Sequence, residues 1–161
     1  MTAGAQPDPV ARVARFLADA GAEARLQQFP EGTATAEAAA DAIGCSLDQI
    51  VKSLLYVCDN ALVLVMVPGG GRADPERVRV AMAASGAKML SRALVEKTTG
   101  FPVGGVSPFP LPGLTSALLD ESLLRHDLVW IGAGSHRHMA GLAPQELARL
   151  TRARTLRVTA D

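Results

Sequence analysis

From Val51 to Pro68 the chain reads VKSLLYVCDNALVLVMVP, two runs dense in valine and leucine joined at Asp59-Asn60. Side chains of this kind suit a pleated, half-buried surface, so the stretch is expected to form a β-hairpin at the heart of the fold. Lys52 stands near its start, with Ile50 and Val51 before it and Leu54 and Leu55 after. A lysine is costly to bury unpaired, so its charge either escapes to water or is put to use. If the short helix before the hairpin continued, Asp48 would sit four residues ahead of Lys52 and form an exposed ion pair worth about 0.3 to 0.5 kcal/mol. As a strand residue, Lys52 instead shares a face with Leu54, Tyr56 and Cys58, and a cation there suggests the wall of a pocket.

Around the hairpin, helix and strand signals interleave irregularly. Asp8-Pro9 is a cap followed by proline at the first helical position, and Val10, Val13, Phe16, Leu17 and Ala20 recur at helical spacing until Gly21. A short strand is expected from Arg25 to Phe29. A helix capped by Thr35 and ended by Gly44 follows, with Ser46 and Gln49 at capping-box spacing before the hairpin. Beyond the hairpin, Asp74-Pro75 opens a helix with Val78, Ala81 and Met82 inward, closed by Gly86. AKML then reads as a strand, and Ser91 caps a helix through Lys97 that stops at Gly100. TSALLDESLL and DLVWIGAGS read as strands, Leu142 to Leu150 as a helix with Pro144 at its start, and TLRVT as a last strand. No repeat or linker divides the chain, so residues 1–161 are expected to form a single domain, with 1–7 flexible.

Composition removes several classes of function. The 16 basic and 16 acidic side chains cancel, so a polyanionic partner must be met by a local patch. Aromatic residues make up only 4%, which argues against the stacking platforms of single-strand binders, and no DNA partner is expected. MTAGAQPDPVARVARFL lacks the charged-then-apolar order of a secretory signal, and no apolar run reaches membrane-spanning length. The expectation is a cytoplasmic protein without a membrane partner. Cys45 and Cys58 are too few for a disulfide framework and read as small apolar residues.

Three stretches remain that could carry chemistry. Val103-Gly104-Gly105-Val106-Ser107-Pro108 lies within FPVGGVSPFPLPG, too rich in glycine and proline to be regular. Adjacent glycines let the backbone approach a ligand or adopt positive φ, and successive N–H groups there can form an anion-binding nest of the kind that stabilises an acyl-transfer oxyanion. The plain alternative is a tight turn. After LVWI comes Gly132-Ala133-Gly134-Ser135-His136-Arg137-His138. His136 and His138 could ligate a metal from one side of a strand, but no third ligand of suitable spacing stands near them. Ser135 beside a histidine is no triad either, since triad partners meet by fold and not by adjacency. A polar loop or pocket rim is the simpler reading, and neither metal nor cofactor is expected. Gly69-Gly70-Gly71-Arg72 lacks the GxxxxGK[ST] spacing and reads as a wide turn.

Taken together, TAEAAADAIGCSLDQIVKSLLY, LVLVMVPGGGRADPERV, TGFPVGGVSPF, LLDESLL, WIGAGS and LAPQELARLT resemble, in order and spacing, the YbaK/prolyl-tRNA synthetase-associated domain family from about residue 8 to the end. The most specific parts are the lysine of I-V-K-S-L, which falls on Lys52, and the loop G-G-V-x-P, which falls on Gly104, Gly105, Val106 and Pro108. The resemblance implies an α+β fold, a mixed and mostly antiparallel curved sheet wrapped by helices. It also implies hydrolysis of the ester joining a wrong amino acid to tRNA, with tRNA-Pro expected, by a domain acting in trans and needing no protein nucleophile.

In that picture Lys52 positions the aminoacyl end, while Gly104 and Gly105 offer backbone N–H groups to the ester carbonyl. Val106 and Pro108, with Ser135 and His136, would contact the substrate, the last two as a wall that selects the side chain. The neighbouring ribose hydroxyl of the substrate could orient the water. Partners implied are the mischarged tRNA acceptor end and prolyl-tRNA synthetase, with Arg72, Arg77, Arg79, Lys88, Arg92 and Arg137 as basic residues available to the acceptor. Pro110 stands where many relatives have glycine and should stiffen the loop exit. The rival expectation is a non-catalytic module that binds aminoacyl-tRNA or a synthetase, or a small-molecule-binding regulator.

Overall fold

The apolar hairpin forms as its composition demands: β2 (Val51–Cys58) and β3 (Ala61–Pro68) pair antiparallel, with Val51 opposite Pro68 and Cys58 opposite Ala61. Asp59 takes the reversal at positive φ, and its carboxylate accepts from the Ser85 backbone N–H and hydroxyl. The protein is described over residues 8–160 by a computed structural model. The stretch 1–7, expected to be flexible, lies outside the described residues.

Helix α1 (Pro9–Asp19) starts as its cap signal requires, the Asp8 carboxylate accepting from the Ala11 N–H at 2.9 Å. It leads into β1 (Ala24–Gln28) and α2 (Ala36–Ile43), which Gly44 ends in the left-handed conformation. A 3-10 turn over Leu47–Gln49 precedes the hairpin, with Gln49 Oε1 accepting from the Ser46 N–H and hydroxyl. After the hairpin come α3 (Pro75–Ala81), β4 (Ala87–Met89) and α4 (Arg92–Thr99). The last third holds β5 (Leu114–Asp120), β6 (Val129–Ser135), β7 (His138–Leu142), α5 (Pro144–Thr151) and β8 (Arg154–Leu156).

The strands fall into two sheets, ordered β4-β2-β3-β5-β8 and β1-β7-β6. Pairing is antiparallel except for β3–β5 and β5–β8. A single parallel bridge from Ile50 to Trp130 ties the start of β2 to β6. Between the sheets, Val51, Leu64 and Met66 meet Ile131, Ala133 and Leu142, and Val13 and Leu17 of α1 close one side. Each fully buried aliphatic side chain there contributes about 1.5 to 3 kcal/mol. The opposite face of the hairpin, with Tyr56, Val63, Val65 and Val67, packs under Val78 of α3.

Four elements differ from expectation. TSALLDESLL is a strand only to Asp120, because the Asp120 carboxylate accepts from the Ser122 N–H and starts a 3-10 turn over Glu121–Arg125. Strand β7 was not expected, and Leu142 belongs to it rather than to α5. Its pattern is masked by Gly141, where a Cβ would lie 2.9 Å from the Trp130 ring, so the indole occupies the space of the absent side chain. The last strand ends at Leu156, since the Val158 and Thr159 amides turn to Asp120 Oδ1 at 2.8 and 3.1 Å instead of continuing a ladder. Helix α3 also stops short of Gly86, at Ala81.

Candidate active site

Lys52 is a strand residue. The helical turn before it ends at Gln49, and Asp48, the partner an extended helix would have supplied, accepts from the Gly70 N–H at 3.0 Å instead. Among the described residues Lys52 has no hydrogen-bond or ion-pair partner, and it is only half-buried opposite Val67. Its ammonium is therefore neither spent on a structural pair nor sealed in the core. Strand alternation turns its neighbour Ser53 to the other face, and the buried Ser53 hydroxyl has no partner among the described residues.

The glycine loop is built around a β-turn. The Gly105 N–H donates to the Pro102 carbonyl at 2.9 Å, and Gly104 takes the third position at φ +89°, the conformation that favours glycine there. Beyond the turn the chain lies directly on β6: Gly134 donates to the Gly105 carbonyl at 2.9 Å, and a Cβ on Gly105 would sit 2.8 Å from the backbone N of Ser135. A Cβ on Gly132 would likewise run into the Val106 carbonyl oxygen. The ladder between β6 and β7 shifts register between Gly132 and Ser135, which frees the Gly134 N–H for this bond. The amide of Gly105 is thus engaged inside the loop, contrary to the expectation that it faces a substrate carbonyl. The Gly104 and Val106 N–H groups have no partner among the described residues. Ser107 and Pro108 are buried beneath them.

Ser135 and His136, expected at the rim, make different bonds. Ser135 Oγ lies 2.6 Å from His138 Nδ1 and accepts from the Arg137 N–H at 3.0 Å, fixing the β6–β7 turn. The exposed His136 ring places Nε2 2.7 Å from the Val103 carbonyl, joining the turn to the glycine loop. Thr33 supports it from below, its N–H and hydroxyl both directed at the His136 carbonyl, at 2.6 and 3.1 Å. Since one histidine faces Ser135 and the other faces Val103, the two rings do not converge. Among the described residues no group of three or more His, Cys, Asp or Glu is arranged to hold a metal ion.

Strand β6 is the common neighbour of these features. Trp130 bridges to Ile50, two residues before Lys52, and Gly132 to Ser135 carry the glycine loop and its histidine tie. Two unengaged amides beside one strand suit a carbonyl oxygen; Lys52 lies close to this strand along the backbone of β2, while alternation sets its side chain on the face shared with Val67. The remaining basic residues separate by their bonds: Arg79 is held by Glu76 at 2.6 Å and Arg77 by Asp74 at 3.7 Å, whereas Arg72, Lys88, Arg92 and Arg137 are exposed. A surface cleft of about 460 Å³ near Asp59, Met82 and Thr115 lies at the far end of β2 and contains none of the expected site residues. Burial pushes both thiols, Cys45 and Cys58, upward in pKa, as befits apolar packing residues rather than nucleophiles. Ala34, whose carbonyl would meet a Cβ on Gly104 at 3.1 Å, and Thr33 carry no chemical signature in the sequence, and only the fold brings them to the loop.

The fold and this arrangement define an editing-type domain, an α+β scaffold with a glycine-built loop laid on one strand and an unpartnered lysine on the neighbouring hairpin. The model of the aminoacyl-tRNA editing domain family matches residues 30–150, and the chain belongs to that family. The Bacillus subtilis protein YwhH, of uncharacterised function, is 34% identical over 127 residues, covering 78% of this chain and 80% of its own. EbsC of Enterococcus faecalis, named as a candidate Cys-tRNA(Pro)/Cys-tRNA(Cys) deacylase, is 26% identical over 132 residues, covering 81% of this chain and 80% of its own. A crystal structure described as a candidate trans-editing enzyme for prolyl-tRNA synthetase superposes with a TM-score of 0.88 at 30% identity, covering 98% of this chain and 100% of that one. No helix among the described residues is long and apolar enough to cross a membrane.

Proposed function

We propose that this protein hydrolyses the ester bond of mischarged tRNA, with tRNA-Pro as the tRNA and prolyl-tRNA synthetase as the source of the error, acting in trans in the cytoplasm. The observation that carries the reading is the glycine loop seated on β6 with the Gly104 and Val106 N–H groups unengaged among the described residues, and the unpartnered Lys52 two residues from the bridge that ties β2 to β6 supports it. Family membership and the likeness to EbsC and to the candidate trans-editing enzyme support it.

In this reaction water attacks the ester carbonyl carbon, and the carbonyl oxygen gains charge. The bond to the ribose oxygen then breaks, and that oxygen takes a proton. Gly104 and Val106 donate to the developing oxyanion, while Gly105 serves by close approach to Ser135 rather than through its own N–H. Lys52 holds the aminoacyl end or its terminal phosphate. Val106, Ser135 and His136 border the side chain of the amino acid, while Pro108, expected to touch the substrate, is buried and backs the loop instead, and the ribose hydroxyl beside the ester orients the water. The test is single-turnover deacylation of a panel of aminoacylated tRNAs, including alanyl-, seryl- and cysteinyl-tRNA-Pro. Release of at least one amino acid far above the spontaneous rate is expected, and tight binding of every member without hydrolysis would overturn the reading in favour of a non-catalytic module.

A further inference from the structure

The glycine loop runs between two aromatic residues, Phe101 before it and Phe109 after it, and both are held from outside by one helix. Arg12 of α1 places its guanidinium over the Phe101 ring, 4.8 Å from the centroid. The same group donates to the carbonyls of Gly100 at 3.3 Å and Thr99 at 3.5 Å, where α4 gives way to the loop. Gly100 leaves room for this, since a Cβ there would run into the Arg12 guanidinium. Phe16, one helical turn further on, stacks on Phe109 with centroids 4.6 Å apart and planes within 14° of parallel. Residues four apart stand one above the other on a helix face, so a single ridge of α1 grips both ends of the loop.

The helix that does this is itself well seated. Val13 and Leu17 anchor it in the core between the sheets. Its first turn lies so close to β6 that a Cβ on Gly134 would sit 2.7 Å from the Pro9 carbonyl carbon. The His136 ring adds a hold at Val103. The loop is thus fixed at Phe101, at Phe109 and at Val103, and the amides of Gly104 and Val106 stand between these points.

We propose that Arg12 and Phe16 are positioning residues: they set the separation and tilt of the loop's ends, and through them the direction of the Gly104 and Val106 N–H groups. The inference rests on the deacylase reading for its consequence in rate, and on the geometry alone for its consequence in loop order. Helix α1 lies outside residues 30–150, the segment matching the family model, so this support comes from the chain's own N-terminal helix. Neither side chain touches the substrate. Their loss should therefore lower the saturated rate and leave affinity unchanged, because a misaimed donor costs transition-state stabilisation and not ground-state binding.

The experiment uses the full chain, its Arg12→Ala, Arg12→Lys and Phe16→Leu variants, and mischarged tRNA at varied concentration under single turnover. Hydrogen exchange at Gly105 and Gly134, whose N–H groups are bonded to the Pro102 and Gly105 carbonyls, is followed beside that of β3. For Arg12→Ala the saturated rate should fall about tenfold, the usual scale of a sub-ångström misplacement, with half-saturation within about twofold. Exchange in the loop should rise while β3 stays protected, and Arg12→Lys, which keeps the cation over the ring, should lie between. A saturated rate within about twofold of the parent, or a rate loss without faster loop exchange, overturns the proposal. Exchange rising equally in β3 also overturns it, since the arginine then only holds the fold. Should Arg12→Ala not fold, Arg12→Lys and Phe16→Leu carry the same comparison. If the parent itself releases no amino acid, the deacylase reading falls, and unchanged loop exchange in the variants would separately sink the grip.

Discussion

Gly105→Ala is the sharpest test of the site. The added methyl would point away from any substrate, at the Ser135 backbone, with C and N at 2.8 Å and Cα at 2.9 Å. Ordinary contacts begin near 3.4 Å, so loop and strand must part by about 0.6 Å, and neither is a flexible side-chain end that can swing aside. Ser135 is held by its bond to His138 and by the pairing of β6 with β7, which leaves the loop to move. Overpacking of this kind costs about 1 to 3 kcal/mol, a fall of roughly 2 to 10 °C in melting temperature for a chain of this size. The same shift displaces the neighbouring amides of Gly104 and Val106. A misplacement approaching 1 Å costs up to about a hundredfold in rate, so a loss of roughly 10- to 100-fold in single-turnover deacylation is expected at temperatures where the variant stays folded. Urea unfolding, run beside the kinetics, separates the two effects. A folded variant within about threefold of the parent rate would refute the idea that the loop's seat on Ser135 aims the donors.

Lys52→Ala should abolish deacylation while leaving the fold intact, because the ammonium has no partner among the described residues; activity retained within threefold, about 0.7 kcal/mol of barrier, would sink its role. Lys52→Arg should not restore it, since the guanidinium is planar and differently shaped. His136→Ala removes the tie to the Val103 carbonyl and one wall of the site, so the ratio of alanyl, seryl and cysteinyl rates should change more than the best rate. A fall of all three by one factor would show that the ring only steadies the loop. Burial pulls the Asp120 carboxyl upward, but hydrogen bonds from Ser122, Val158 and Thr159 outweigh it and hold the group below the usual carboxylate range. Its stabilisation is then present above the unfolded pKa, near 3.9, and is lost as pH falls through the folded value. Asp120→Asn should cost about 1 to 3 kcal/mol at pH 7 by urea unfolding, a difference that shrinks toward pH 3; a constant difference would refute this.

The readable part of the sequence was the part where one local rule dominates. Asp8-Pro9, Thr35 and Gly44 bound their helices through caps that depend on nearest neighbours, and the Val/Leu hairpin declared itself by composition. What stayed hidden depended on distant partners. Gly141 takes its place in β7 because the Trp130 ring stands over it, and Asp120 halts a strand by collecting amides from Val158 and Thr159. At the site, Lys52 and the double glycine stood out as residue types under local constraint. The Gly105 N–H closes the tight turn that the double glycine allowed, whereas the seat of Gly105 on Ser135 and the reach of Arg12 to Phe101 depend on contacts whose partners no spacing rule names.

The convergence on β6 also governs when the site comes into being. Lys52, the glycine loop and the Ser135–His138 turn belong to different thirds of the chain, and although each has local bonds of its own, only contacts between segments distant in sequence bring them together. Closing such distant segments carries a loop entropy that is repaid only once the β1-β7-β6 sheet has docked on the hairpin. Hydrolytic competence should therefore return on refolding with the slowest structural phase, and a chain nicked in the β6–β7 turn should lose it while much of the hairpin remains. The ester bond would then serve as a reporter of the last contacts this chain makes.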